Sequence, residues 1–257
     1  MATLAQRPAR TPLHAERIFF LSMMAALVVL VAWGFAQSFF LRHWLTPPAT
    51  YIDRPGWVGW TFIVHGTLFT CWLLLFGLQT VLIGSKRLRL HKQIGRSIYP
   101  LFFAMLGVGT FVGYLGARYG FHDVPFDSIT FSALPWMVLG AFAVLAWAGI
   151  HERKDPQRHK RLMLLATIAI SDAGISRVVF FQQFLPPWMS ATVFMILPLI
   201  VWDLATLHKV HRTTVLGGLL VAASLLLSVP IGSTRAWHML VSSVLGLHGV
   251  PAGQFAI

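Results

Sequence analysis

Apolar and polar stretches alternate along this chain with the period of membrane-crossing helices. Seven apolar runs, at about 17–41, 57–84, 97–120, 129–150, 162–184, 188–207 and 213–231, are separated by short polar connections. A helix needs roughly 20 apolar residues to cross a bilayer core, and each run comes close to or exceeds that length. The connections sort by charge. Residues 85–96 (SKRLRLHKQIGR), 151–161 (HERKDPQRHKR) and 208–212 (HKVHR) are basic, as is the polar tail 1–16, whereas 121–128 and 182–188 carry no Lys or Arg. Basic connections stay in the cytoplasm, so the pattern predicts an all-α bundle of seven transmembrane helices over 17–231, with the amino terminus cytoplasmic and the carboxyl terminus exterior. Residues 42–56, with Pro47, Pro48 and Pro55, read as an exterior loop. Residues 232–257 include about a dozen apolar positions, too few to cross, and predict a short exterior interfacial helix and tail. Gly34-Phe35-Ala36 has the small-x-small form of a leader cleavage site, but the apolar run is long for a leader core, so 17–41 is read as the first spanning helix.

Composition agrees with this pattern. Hydrophobic residues make up 56% of the 257 positions and charged residues 11%, with a mean hydropathy of +0.70, far from a soluble domain. The net charge of +12 resides in the connections rather than on one soluble face. It points to anionic lipid headgroups and not to nucleic acid. Cys71, the single cysteine, excludes an intramolecular disulfide and reads as a packing residue.

Polar residues inside the apolar runs are the candidate sites, because ionisable groups in a bilayer are costly. His65, Trp72 and Gln79 recur every seven residues on the second helix, with Thr61 one turn before His65, forming one stripe that should face protein. Asp172 and Arg177 lie within the fifth run. With His65 and Gln79 they are candidates for a substrate or proton pathway, Ser171 and Ser176 being the nearby hydroxyls for Asp172. Asp203 is expected in an interfacial ion pair with Lys209 or Arg212. Gly109-x3-Gly113 and Gly116-x3-Gly120 give the third helix a small-residue face, which predicts close packing and a central position.

His91, His151, His159, His208 and His211 gather at the basic connections. Bare divalent metal has little support there, since no thiolate and few carboxylates accompany them. Haem is different, because its propionates pair with Lys and Arg while its iron takes two imidazoles from facing helices. His91 and His159, in the related contexts LHKQIGR and RHKRLML, form the best pair of haem-iron ligands for a b-type haem, with His65 as a further cofactor contact. No phosphate loop, nucleophile elbow or metalloprotease helix is present, so hydrolysis is not indicated and no catalytic residue is assigned.

His65-Gly66, Trp72, Gln79, LHKQIGRSIY (90–99), RHKRLMLLATIAISDAGISR (158–177) and VHRTTVLGG (210–218) resemble a family of uncharacterised bacterial multi-helix membrane proteins. The resemblance covers the second to seventh helices and implies fold and topology in the bacterial inner membrane rather than an activity. More distantly, His65-Gly66 and Leu90-His91 with Gly95 are similar to elements of the diheme, ascorbate-linked cytochrome b membrane proteins. That family pairs histidines at two depths, whereas His65 has no histidine partner at its own depth here, so the similarity implies one haem rather than two. Three readings therefore stand: a redox protein holding haem or quinone; a proton-coupled transporter or small-ligand protein using His65, Asp172 and Arg177; and a non-catalytic assembly factor.

Overall fold

The computed structural model describes residues 13–45, 56–119, 126–186 and 189–246, and the regular structure in them is entirely helical. The expected tail up to residue 12, the centre of the 42–56 loop, residues 120–125 and 187–188, and the tail from 247 lie outside the described residues. Among the described residues, four helices are long and apolar enough to cross a bilayer: His14–Gly34, Gly56–Gly84, Leu88–Tyr119 and Ser128–Lys154. This is an all-helical membrane protein.

The first four runs correspond to long helices, the first of which starts and ends several residues earlier than its apolar run. Helix α1 (Leu13–Gly34) continues into a π-helical turn, Ala36–Phe40, and α2 (Gly56–Gly84) is unbroken. The connection after α2 is short. Lys86 takes a left-handed φ of 61°, and helix resumes at α3 (Leu88–Ile94), passing through one 3₁₀ turn into α4 (Ile98–Tyr119). The loop expected over 85–96 is therefore largely helix, and His91 stands on it. Helix α5 (Ser128–His151) starts where the Asp127 carboxylate accepts the Ile129 and Thr130 amides. Burial alone would raise the Asp127 pKa, but hydrogen bonds from Thr130 and Ile129 and the neighbouring His238 bring it below the usual carboxylate value.

The last three runs break into shorter pieces. Residues 162–184 become α6 (Pro156–Ile170), α7 (Asp172–Ile175) and α8 (Val179–Phe184). Helix α6 begins before its apolar run because the Asp155 side chain accepts the amides of Gln157 and Arg158, with Pro156 supplying a first position that needs no N–H. It stops at Ser171, whose hydroxyl donates to the Thr167 carbonyl. The sixth run opens as a 3₁₀ turn, Ala191–Ile196, before α9 (Leu197–Leu207), which ends at His208 in the left-handed region. The seventh divides into α10 (Arg212–Leu226) and α11 (Ser228–Gly232). The short helix expected after the seventh run is present as α12 (Arg235–Leu245), which buries Val241 and Leu245. Its Trp237 indole donates to the Ile129 carbonyl on α5.

Helix α6 forms the centre, with every residue from Arg161 to Ala169 buried. It packs on α5 and α10; α5 in turn contacts α4 and α11, and α2 packs on α4 and α1. The third run, expected at the centre, instead buries one stripe of α4 (Phe102, Met105, Gly109, Val112, Gly113, Gly116) and leaves Phe103 and Phe111 exposed. Its glycines make room for side chains: Leu139 lies over Gly109 and the Trp136 indole over Gly113. Cys71 is exposed on the bundle surface rather than packed inside.

Candidate functional site

At the end of the bundle that carries the basic connections, α1, α2, α3, the end of α5 and the start of α6 line a cavity of about 1150 Å³. Small-molecule and cofactor sites commonly occupy roughly 300–1000 Å³, so there is room for a large, flat ligand. Phe20, Trp72, Phe76 and Met163 supply apolar walls, while Arg17, Lys92, Arg96, Arg153, Lys154 and Lys160 bring positive charge to the lining. Glu16 is the acid among the lining residues; it pairs with Lys160 and accepts from the Gln157 amide. Trp72 is 1% exposed, and its indole N–H donates to the Thr167 hydroxyl on α6.

His91 and His159 both line this cavity, and their rings stand 6.4 Å apart, centre to centre, at 90° to each other. Two imidazoles on one metal place their centres about 6 Å apart, taking about 2 Å for each metal–nitrogen bond and about 1 Å from that nitrogen to the ring centre. That spacing would admit one iron only with both Nε2 atoms turned toward it. His159 sits on the first turns of α6 with Nδ1 2.7 Å from the Gly149 carbonyl. A carbonyl only accepts, so Nδ1 carries the proton and Nε2 keeps its lone pair for a metal or another donor. Among the described residues no three His, Cys, Asp or Glu side chains come together around a metal ion. The donor set of two imidazoles with a basic lining suits a haem better than a bare cation.

Gln79 belongs to this cavity rather than to the opposite end. Its amide nitrogen donates to the His91 carbonyl (3.1 Å) and to His91 Nδ1 (2.5 Å), and its oxygen accepts the Gly95 amide (3.0 Å). This orientation follows from the surroundings, because the reverse would set oxygen against carbonyl and NH₂ against N–H.

The stripe on α2 does face protein, but it connects two ends of the molecule. His65 is about 21 Å from Gln79 along the helix axis. Its Nδ1 is buried without a hydrogen-bond partner, and its ring centre lies 4.1 Å from that of Phe69. The Arg177 guanidinium stacks over Phe35 at 4.9 Å and donates to the Ala173 carbonyl. Asp172, 4% exposed, accepts the hydroxyls of Ser190 and of Thr192 (2.9 Å). Its partners thus come from the sixth run and not from Ser171 or Ser176. His65, Asp172 and Arg177 share the end of the bundle away from the cavity, as Gly34 against Gly174 shows, 18 residues along α1 from Glu16.

Asp203 also departs from expectation. It is fully buried and receives the Arg161 guanidinium (2.5 and 3.1 Å), the Thr214 hydroxyl (2.5 Å) and the His211 amide (3.1 Å), while Lys209 and Arg212 are not its ion-pair partners. Arg161 extends the network to Gln157 beside the cavity. His211 Nδ1 caps α10 by accepting the Thr213 amide. Burial, with Arg161 nearby, holds the His211 pKa below its ordinary value, against the pull of Asp203, which preserves that lone pair. Sequence reasoning passed over Arg161 as one more loop cation. The Asp155-Pro156 pair marks the start of α6 and would have placed Arg161 inside it.

The chain matches no family model, no curated protein and no solved structure.

Proposed function

We propose that this is a redox protein of the bacterial inner membrane that holds one b-type haem in the basic cavity, on the cytoplasmic side. The observation that carries the reading is the 6.4 Å spacing of the His91 and His159 rings inside a cavity of haem-like capacity. Haem, when bound, supplies one-electron transfer. The remaining work falls to the chain. His159 presents Nε2 because Gly149 holds its Nδ1–H, and the Arg and Lys side chains of the lining neutralise two carboxylates. Trp72, Phe20, Phe76 and Met163 would shield the bound group from water.

A proton-coupled carrier would draw support from the two interrupted segments that meet at Asp172, the kind of broken helix such proteins use. There, however, one Asp172 oxygen already receives two hydroxyls. The test is an absorption spectrum of protein purified after expression with haem supplied. A Soret band lost in His159→Ala supports the reading. Its absence from wild-type protein supplied with haem overturns it.

A further inference from the structure

The two cavity histidines are not equivalent. His159 donates from Nδ1 to a carbonyl, whereas His91 Nδ1 accepts a hydrogen bond from the Gln79 amide, turned as its two backbone contacts require. A neutral imidazole that accepts at one nitrogen carries its proton on the other. Three contacts fix the direction of the Gln79 amide, two of them to backbone groups that cannot reverse: the His91 carbonyl and the Gly95 amide. We infer that Gln79 is a positioning residue that holds His91 as the Nε2–H tautomer, leaving His159 as the permanent ligand and His91 as an exchangeable one. The second half of this statement rests on the haem reading above; the first does not.

The physical argument is a competition between partners. For His91 to offer Nε2 to a metal, its proton must move to Nδ1, and the Gln79 amide must turn to present oxygen. That turn sets the amide oxygen against the His91 carbonyl and the NH₂ against the Gly95 N–H. His159 has no such conflict, since the partner of its Nδ1–H is the Gly149 carbonyl in either circumstance. The site is therefore built to bind metal firmly from α6 and loosely from α3. A loose ligand opens the iron to a small incoming molecule with a lone pair, the class that carbon monoxide represents as a probe.

The experiment has two arms. In the full chain free of haem, in lipid nanodiscs, nitrogen NMR of ¹⁵N-histidine should show the proton on Nε2 for His91 and on Nδ1 for His159. Gln79→Glu, whose carboxylate only accepts, should move the His91 proton to Nδ1 without altering His159. A His91 proton on Nδ1 in the wild type overturns the inference even if haem binds. In the ferrous haem-loaded protein, carbon monoxide should bind the wild type about tenfold more tightly than Gln79→Glu, the scale of one net hydrogen bond. His91→Ala should keep haem that His159→Ala loses. Equal carbon monoxide affinity, or haem lost from His91→Ala and kept by His159→Ala, overturns the ligand assignment. Absence of haem from every variant counts against the haem reading alone and leaves the tautomer result standing.

Discussion

The residue with most depending on it outside the cavity is Asp203. Both of its oxygens are occupied and it has no contact with water, so it joins α6, α9 and α10 through Arg161, the His211 amide and Thr214. Removing one member of a buried pair leaves the other charge uncompensated and costs about 3–5 kcal/mol. Asp203→Asn should therefore lower unfolding stability by about that amount, measured by chemical denaturation in detergent micelles, whereas Lys209→Gln should leave it nearly unchanged. The sequence showed an acid near the basic end of its helix but not its partner, because Arg161 lies 42 positions earlier in what looked like a polar loop. The same limit applies to Gln79. Its seven-residue spacing from Trp72 placed it on a protein-facing stripe correctly, but spacing cannot tell which end of the stripe a ligand uses. His91 and His159 were legible as a pair because each stands where a helix opens within a basic run. Their opposed tautomers were not, since these depend on Gly149 and on the far side of α2.

At the scale of elements, hydropathy identified apolar runs well and continuous helices poorly. Runs 57–84, 97–120 and 129–150 correspond to α2, α4 and α5 within one residue at each end. The run 162–184 does not survive as one helix, because a hydropathy window sums transfer preferences and is blind to Ser171 turning its hydroxyl on the backbone, or to Asp172 drawing Ser190 and Thr192 across. The break brings Gly174 of α7 against α1, where a methyl placed on Gly34 would strike the Gly174 carbonyl. No rotamer relieves a clash with backbone. Gly34→Val should cost about 1–3 kcal/mol or displace α7, whereas Gly59→Val on α2, which meets nothing within 4 Å, should cost little. Thermal unfolding of the two variants in the same detergent compares them directly.

For the whole molecule, the charge pattern predicts that the cavity end faces the cytoplasm and α12 the exterior. Since Cys71 is the single cysteine, Cys71→Ser gives a clean background for labelling. Cysteines placed singly at Lys154 and at Ser243 should divide: in intact cells an impermeant maleimide should label the second and not the first. The opposite division would invert the topology. Composition sufficed to recognise a membrane bundle, and charge sufficed to propose its orientation. The identity of the central helix was not accessible in that way, because α6 is buried by its neighbours and not by greater hydrophobicity; it even starts with polar Gln157, Arg158, His159, Lys160 and Arg161.

The salt link between Glu16 and Lys160, with Gln157 beside it, sets a schedule for maturation. One wall of the cavity comes from α1, and the wall that closes against it leaves the ribosome 141 residues later. At about 5–20 residues per second of synthesis, that interval is on the order of 10 s. During it α1 and α2 are already in the membrane with half a site exposed, and His91 waits for a counterpart not yet made. On the haem reading, capture is a late event, which needs the start of α6 in place, and a chain stalled before residue 159 would lack the second histidine of the cavity.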